Sequence, residues 1–182
     1  MRYFKKLVGK KCYLSPMNVE DAEQFTEWLN DLEVIGHLGR SSEPVTVAAE
    51  RKKLEGFGDQ HVYAIVDLET DRLIGSTGLN NMNQTHGCSW LGIMIGDKSY
   101  HDKGYGREAI GLLLEFGFNF LNLHSVALWV YEDNARGIAC YKSVGFKECG
   151  RRRQANRHNG KWRDIIFMDI LEEEFTAQQA GA

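Results

Sequence analysis

One passage constrains this chain more than any other. The run His101-Asp102-Lys103-Gly104-Tyr105-Gly106-Arg107 follows the apolar stretch Leu91-Gly92-Ile93-Met94-Ile95 and precedes a segment in which Ala109, Ile110, Leu113, Leu114, Gly117 and Leu121 recur at helical spacing. The first stretch reads as a buried strand bounded by Gly96-Asp97, and the last as a long helix. A turn with two glycines between them lets the backbone bend tightly and approach a ligand. The opening helix turn points unpaired N–H groups and a positive dipole end outward. That is the sequence form of an anion cradle, suited to a phosphate or pyrophosphate.

A second run, Asn134 to Phe146, begins with a good N-cap residue and closes with Gly145 followed by an apolar residue, the form of a Schellman helix end. Asn134 and Tyr141 are two turns apart, roughly 10 Å along the axis, and so project from nearly one face.

Together the two runs resemble the GNAT superfamily of acetyl-CoA-dependent N-acetyltransferases. That family writes its pyrophosphate loop Gln/Arg-x-x-Gly-x-Gly/Ala and its later helix Asn-x-x-Ala-x-x-x-Tyr-x-x-x-Gly-Phe. Here Gly104 and Gly106 match the loop, with His101 at the Gln/Arg position. Asn134, Tyr141, Gly145 and Phe146 match the helix, with Gly137 where the family usually has alanine. The texture from about Lys10 to Phe175, including Trp28-Leu29-Asn30-Asp31, is similar to the RimJ/RimL and spermidine N-acetyltransferase branch. The resemblance implies an α/β fold with a mixed, splayed central sheet flanked by helices, open between Leu91–Ile95 and Ser125–Tyr131 where a pantetheine arm enters. It also implies acetyl-CoA as donor, with no metal.

The same resemblance assigns roles residue by residue. Backbone N–H groups of His101, Asp102, Lys103, Gly104, Tyr105, Gly106 and Arg107 are expected to hold the pyrophosphate. The main chain of Met94 and Ile95 is expected to pair with the pantetheine arm, and Asn134 to serve as cap, ligand contact or both. Lys103 and Arg107 read equally well as phosphate partners and as solvated surface. Tyr141 is the expected acid: the departing thiolate belongs to a thiol of pKa about 8.5, and a phenol near ~10 is protonated at neutral pH and able to donate. Read without the family, Tyr141 is an aromatic on the stripe with Ile138.

The base is harder to place. An alkyl amine of pKa about 10.4 is mostly charged at pH 7, and reaching its neutral form costs roughly 4 to 5 kcal/mol. Many relatives in this branch carry a glutamate on the strand before the glycine loop, where this chain has Trp90. Glu33, Glu132 and His61 are the stand-ins, each reading more naturally as a surface or structural residue. The basic cluster Arg151, Arg152, Arg153, Arg157, Lys161 and Arg163 reads first as a solvated strand edge, and second as an attractor for acidic groups.

Composition narrows the remaining classes. A length of 182 residues fits one domain spanning the chain, and 43% hydrophobic with 26% charged residues suits a globular fold. A formal charge of −3 argues against general nucleic-acid binding. There is no signal-peptide pattern, no stretch apolar enough for a bilayer, and no Cys-x-x-Cys among Cys12, Cys88, Cys140 and Cys149. A cytoplasmic location is the default, and nothing opposes a homo-oligomer. The glycine loop has neither the Gly-x-Gly-x-x-Gly spacing nor a Gly-Lys-Ser/Thr ending, so Rossmann and P-loop readings are disfavoured. The expected activity is acetyl transfer to a primary amine: a protein N-terminus, a polyamine or another small amine. The alternative is a non-catalytic coenzyme A-binding sensor.

Along the chain, a first strand is expected at Lys11–Leu14. A helix capped by Asn18 follows, with a stripe of Ala22, Phe25, Leu29 and Leu32. Then come a loop over Val34–Pro44, a helix over Val45–Glu55 and strands at His61–Asp67 and Leu73–Leu79, with Asn80–Gly87 as a polar connection. Beyond the glycine loop and its helix, strands are expected at Ser125–Tyr131, Phe146–Ala155 and Lys161–Leu171, the last two turning near Asn159-Gly160.

Overall fold

The computed structural model describes residues 3–39, 43–58, 60–158 and 160–180. Its strands are β1 (Leu7–Val8), β2 (Cys12–Pro16), β3 (Val62–Asp67), β4 (Leu73–Asn83), β5 (Cys88–Ile95), β6 (Ser125–Tyr131), β7 (Lys147–His158) and β8 (Lys161–Leu171). Its helices are α1 (Ala22–Asn30), α2 (Leu32–Ile35), α3 (Val47–Glu55), α4 (Tyr105–Phe120), α5 (Ala135–Val144) and α6 (Glu172–Ala180). The strands hydrogen-bond in the order β1-β2-β3-β4-β5-β6-β8-β7, a mixed sheet. The chain forms two compact units, one of Met1–Asn80 with Gly92–Leu113 and one of Asn81–Leu91 with Leu114–Ala182.

In the first unit β2 pairs antiparallel with β3, Cys12 opposite Asp67 and Ser15 opposite Ala64. Its core gathers Tyr13, Phe25, Trp28, Leu29, Ile35, Leu54, Ala64 and Val66. The α1 stripe stops short of expectation: Leu32 is 68% exposed. Asp31 adopts an extended conformation (φ −85°, ψ 108°) and its carboxylate accepts the Glu33 N–H, so the chain leaves α1 and starts the short helix α2 with a new phase. That helix occupies the beginning of the stretch read as loop, of which residues 40–42 lie outside the described residues. Thr46 caps α3, which therefore starts two residues later than its apolar content suggested.

In the second unit β5 pairs parallel with β6 over Cys88–Ser125, Ser89–Val126 and Trp90–Ala127, a short ladder suited to a splayed sheet. β6 and β8 run antiparallel along their lengths, from Ser125 opposite Leu171 to Tyr131 opposite Ile165. Val126, Leu128, Val130, Ile166, Met168 and Ile170 are buried. Half of the polar stretch expected to be a connection is strand: β4 runs on to Asn83, leaving residues 84–87 as the turn before β5 at Cys88, because ladder hydrogen bonds hold polar residues that propensity disfavours. Gly160 sits at φ +77°, as the expected hairpin requires, while Asn159 lies outside the described residues. The helix α6, absent from the sequence reading, begins with Glu172, Glu173 and Glu174 at its positive dipole end, and Glu174 accepts the Leu171 N–H.

Candidate functional site

In the first unit the end of β5 leads through Gly96 and Asp97 into the glycine turn. Gly96 is obligatory for packing, since a Cβ there would run into the indole of Trp28, itself buried. Asp97 then accepts the Ser99 N–H at 2.9 Å and pairs with Arg72 at 2.7 Å. Asp102 and Gly104 take left-handed conformations, φ +58° and +83°. The chain thus enters α4 with the N–H groups of Tyr105, Gly106 and Arg107 lacking intrahelical acceptors. Among the described residues no side chain caps them. A Cβ on Gly104 would meet only Lys11 Nζ, at 3.8 Å, so this position is open to a ligand.

The side chains around the turn hold it rather than fill it. The Tyr105 and Tyr100 hydroxyls each donate to the buried Asp67 carboxylate at 3.2 Å, and Thr70 donates at 2.6 Å. Burial alone would raise the Asp67 pKa, but these donors outweigh it and hold the carboxyl below its ordinary range. Burial, with Asp67 beside it, pushes the Tyr105 phenol up to about 12. Glu108 reaches back to accept the Lys11 and Cys12 N–H groups at 2.6 and 3.0 Å. The Lys11 ammonium donates to the Lys103 carbonyl at 2.8 Å. His101 Nε2 lies 2.9 Å from the Ile95 carbonyl, tying the turn to the end of β5. Lys103 and Arg107 are exposed.

β5 itself is held close to β4. A Cβ on Gly75 would overlap the Met94 carbonyl, and Thr77 donates to the Gly92 carbonyl at 3.0 Å. Beside this strand the first unit has a half-open cavity of about 280 Å³. Phe25, Leu29, Phe57, Ile93 and Met94 give it apolar walls, with Ser76, Thr77 and Asn80 along one side. Among the described residues its charged lining is Glu50, only 3% exposed, and Lys53, whose ammonium lies 3.1 Å from the Glu50 carboxylate.

In the second unit Asn134 caps α5, its Oδ1 accepting the Gly137 N–H at 2.9 Å. The glycine at 137 has a local cause: a Cβ would come within 2.7 Å of the Asn134 amide nitrogen. At the other end Gly145, at φ +114°, and Phe146 send their N–H groups to the Tyr141 carbonyl, completing the expected Schellman end. The Tyr141 ring packs edge-on against Phe146 with centroids 6.0 Å apart. Burial, with Cys140 adding a little, pushes its phenol up to about 12.

The stand-ins for a base are engaged elsewhere. Glu33 accepts from Lys98 at 2.7 Å. Glu132 takes Arg151 at 3.1 Å and the Asp164 N–H at 2.8 Å. His61 Nδ1 sits 3.2 Å from the Tyr63 hydroxyl, and burial, then Lys6, lowers its pKa. Trp90 packs edge-on against Phe167 at 6.3 Å. The basic cluster is not uniformly solvated. Arg163 is 5% exposed, stacks 3.9 Å over Tyr131 and pairs with Asp133 at 3.3 Å.

Four residues escaped the sequence reading: Asp67, Lys11, Glu108 and Glu50. Nothing local marks the first three, which act on partners far along the chain. Glu50 left a trace, being one turn before Leu54 on the buried face of α3. Among the described residues no helix is long and apolar enough to cross a membrane, and no cluster of ligand side chains suits a metal ion.

Residues 11–147 match the acetyltransferase (GNAT) domain model. The chain belongs to the GNAT family. It is 26% identical to an uncharacterised N-acetyltransferase of Bacillus licheniformis over 93% of this chain and 97% of that protein. It is 28% identical to the spermidine N(1)-acetyltransferase of Vibrio cholerae over 68% of this chain and 74% of the relative. The crystal structure of spermidine N-acetyltransferase from Vibrio cholerae in complex with CoA and spermine superposes with a TM-score of 0.82 at 23% identity, covering 92% of this chain and 99% of that one. This GNAT protein is therefore an acetyltransferase with acetyl-CoA as its donor substrate, and its mixed, splayed sheet is the family's fold.

Proposed function

We propose that this GNAT protein moves an acetyl group from acetyl-CoA to a primary amine by direct attack, without a covalent enzyme intermediate. The observation that carries the reading is the start of α4: a left-handed turn leads into a helix whose first amides have no cap, braced from outside by Asp67, Glu108 and His101. Backbone amides from Asp102 to Arg107 hold the pyrophosphate in this reading; the His101 N–H, expected to join them, is given to the Lys98 carbonyl at 3.2 Å. Lys11, Lys103 and Arg107 add positive charge around the turn. The main chain of Met94 and Ile95 pairs with the pantetheine arm, while Asn134 acts first as the cap of α5. Tyr141 donates a proton to the departing thiolate, and a phenol raised to about 12 is fully protonated at neutral pH. Relatives named spermidine N-acetyltransferases make small amines the acceptors of first choice.

The test is release of free thiol from acetyl-CoA in the presence of a panel of primary amines. Acceptor-dependent release is expected. Binding of acetyl-CoA with no release across a broad panel would replace this reading with that of a coenzyme A sensor.

A further inference from the structure

The cavity beside β5 holds a combination of groups that the donor-binding turn does not use. Buried carboxylates are rare, and each needs a reason. Three occur among the described residues of the first unit. Asp21 accepts from the Tyr3 hydroxyl at 2.9 Å, and Asp67 gathers the tyrosines around the turn. Glu50 alone of the three lines the cavity. Its recorded side-chain partner is Lys53, one turn on in the same helix, at 3.1 and 3.4 Å from its two oxygens. The Lys53 side chain is 37% exposed, against 4% for Glu50, so it can swing into water while the carboxylate cannot. The carboxyl groups on the elements packed against α3 are spoken for or exposed: Glu20 pairs with Arg51 at 3.2 Å, Glu27 with Gln24 at 3.0 Å, and Glu23 is exposed.

Resting on the acetyl-transfer reading above, we propose that this cavity receives the acceptor, that the acceptor is a monoamine carrying an apolar alkyl or aryl group, and that Glu50 takes the proton its nitrogen must lose. Phe25, Leu29, Phe57 and Met94 offer an apolar wall for such a group, whereas a polyamine would bury further ammonium groups against it, and among the described residues Glu50 is the one carboxylate lining it. An entering ammonium displaces Lys53 from Glu50. Inside an apolar cavity, passing the proton from nitrogen to carboxylate removes two charges at once, which low polarity favours. The neutral nitrogen then attacks the thioester carbonyl. The N–C bond forms, the C–S bond breaks, and the thiolate takes the proton of the acid. The nitrogen returns its second proton to the conjugate base of that acid, and Glu50 releases the first to water as the amide leaves.

The experiment compares phenethylamine and isopentylamine with spermidine and putrescine in the thiol-release assay, using the full chain and its Glu50→Gln and Glu50→Asp variants. The monoamines are expected to show kcat/KM at least about 10-fold above the polyamines. Glu50→Gln is expected to lower kcat about 10²-fold at pH 7, with activity recovering as pH rises toward the amine's own pKa, and with acetyl-CoA affinity unchanged. Glu50→Asp should restore part of the loss and the original shape of the pH profile. Preference for spermidine, or a Glu50→Gln enzyme with an unaltered pH profile, overturns this inference and leaves acetyl transfer standing. Absence of thiol release with every amine, despite acetyl-CoA binding, overturns both.

Discussion

The starts of α4 and α5 pose one chemical problem and answer it in opposite ways. At α5 the chain closes its own helix: Asn134 gives its side-chain oxygen to the Gly137 N–H, and the far end folds back through Gly145. At α4 two polar side chains of the first turn bond away from it. Tyr105 donates to Asp67, and Glu108 accepts from the backbone of Lys11 and Cys12. A capped terminus is a structural element, whereas an uncapped terminus held rigid by distant partners is a binding site in waiting. A glycine near each start serves the difference. Gly137 makes room for the cap, and Gly104 supplies a left-handed bend whose outer side stays open.

Substitutions can break or sharpen this contrast. The largest effect is expected from Tyr141→Phe, where α5 carries the proposed acid: turnover should fall about 10²-fold while acetyl-CoA affinity by calorimetry stays within a factor of about three. If affinity falls instead, Tyr141 belongs to the binding surface and α5 is more than a scaffold. Next comes Gly104→Val. A branched residue is strained at φ +83° and covers the open side of the turn, so donor affinity should fall at least about 10-fold. Unchanged affinity would remove the cradle from the account.

Asp67→Asn leaves hydroxyl donors of Tyr100, Tyr105 and Thr70 imperfectly matched and should cost about 1 to 3 kcal/mol in a denaturant titration, with weaker donor binding as the brace loosens. The sign with pH follows from its lowered carboxyl pKa. The stabilisation from Asp67 is present above the unfolded value of about 4 and is lost as pH falls through the lower folded one. The acid unfolding limb should therefore flatten in Asp67→Asn. The smallest effect is expected from Gly137→Ala, which pushes the Asn134 cap aside. About 1 kcal/mol of stability should go, with donor affinity untouched. A drop in donor affinity there would mean that the two helix starts are not as different as their capping suggests.

Much of this was legible before any coordinates. The strand, glycine turn and helix around residues 91–121, the capped helix with its Gly145 end, and the β6 and β8 strands are local patterns, and local patterns survive folding. Local reading failed where neighbours decide. Asn80 to Asn83 became strand through ladder pairing, Leu32 fell off the α1 stripe because Asp31 restarted the helix, and α6 carries too weak an apolar stripe to announce itself. In the candidate site the glycines and the cap were visible. The braces were not, since Asp67 lies 38 residues from Tyr105 in sequence, and Lys11 lies 92 from Lys103.

The order of residues by itself determined where the backbone must bend and where helices begin and end, because glycine, asparagine and apolar spacing act within a few residues. Only the tertiary structure decided which carboxylate would brace the turn and which would line a cavity. Asp67 and Glu50 are each an ordinary acid in the chain, and their tasks arise from the long-range contacts that bury one among hydroxyl donors and the other against apolar walls.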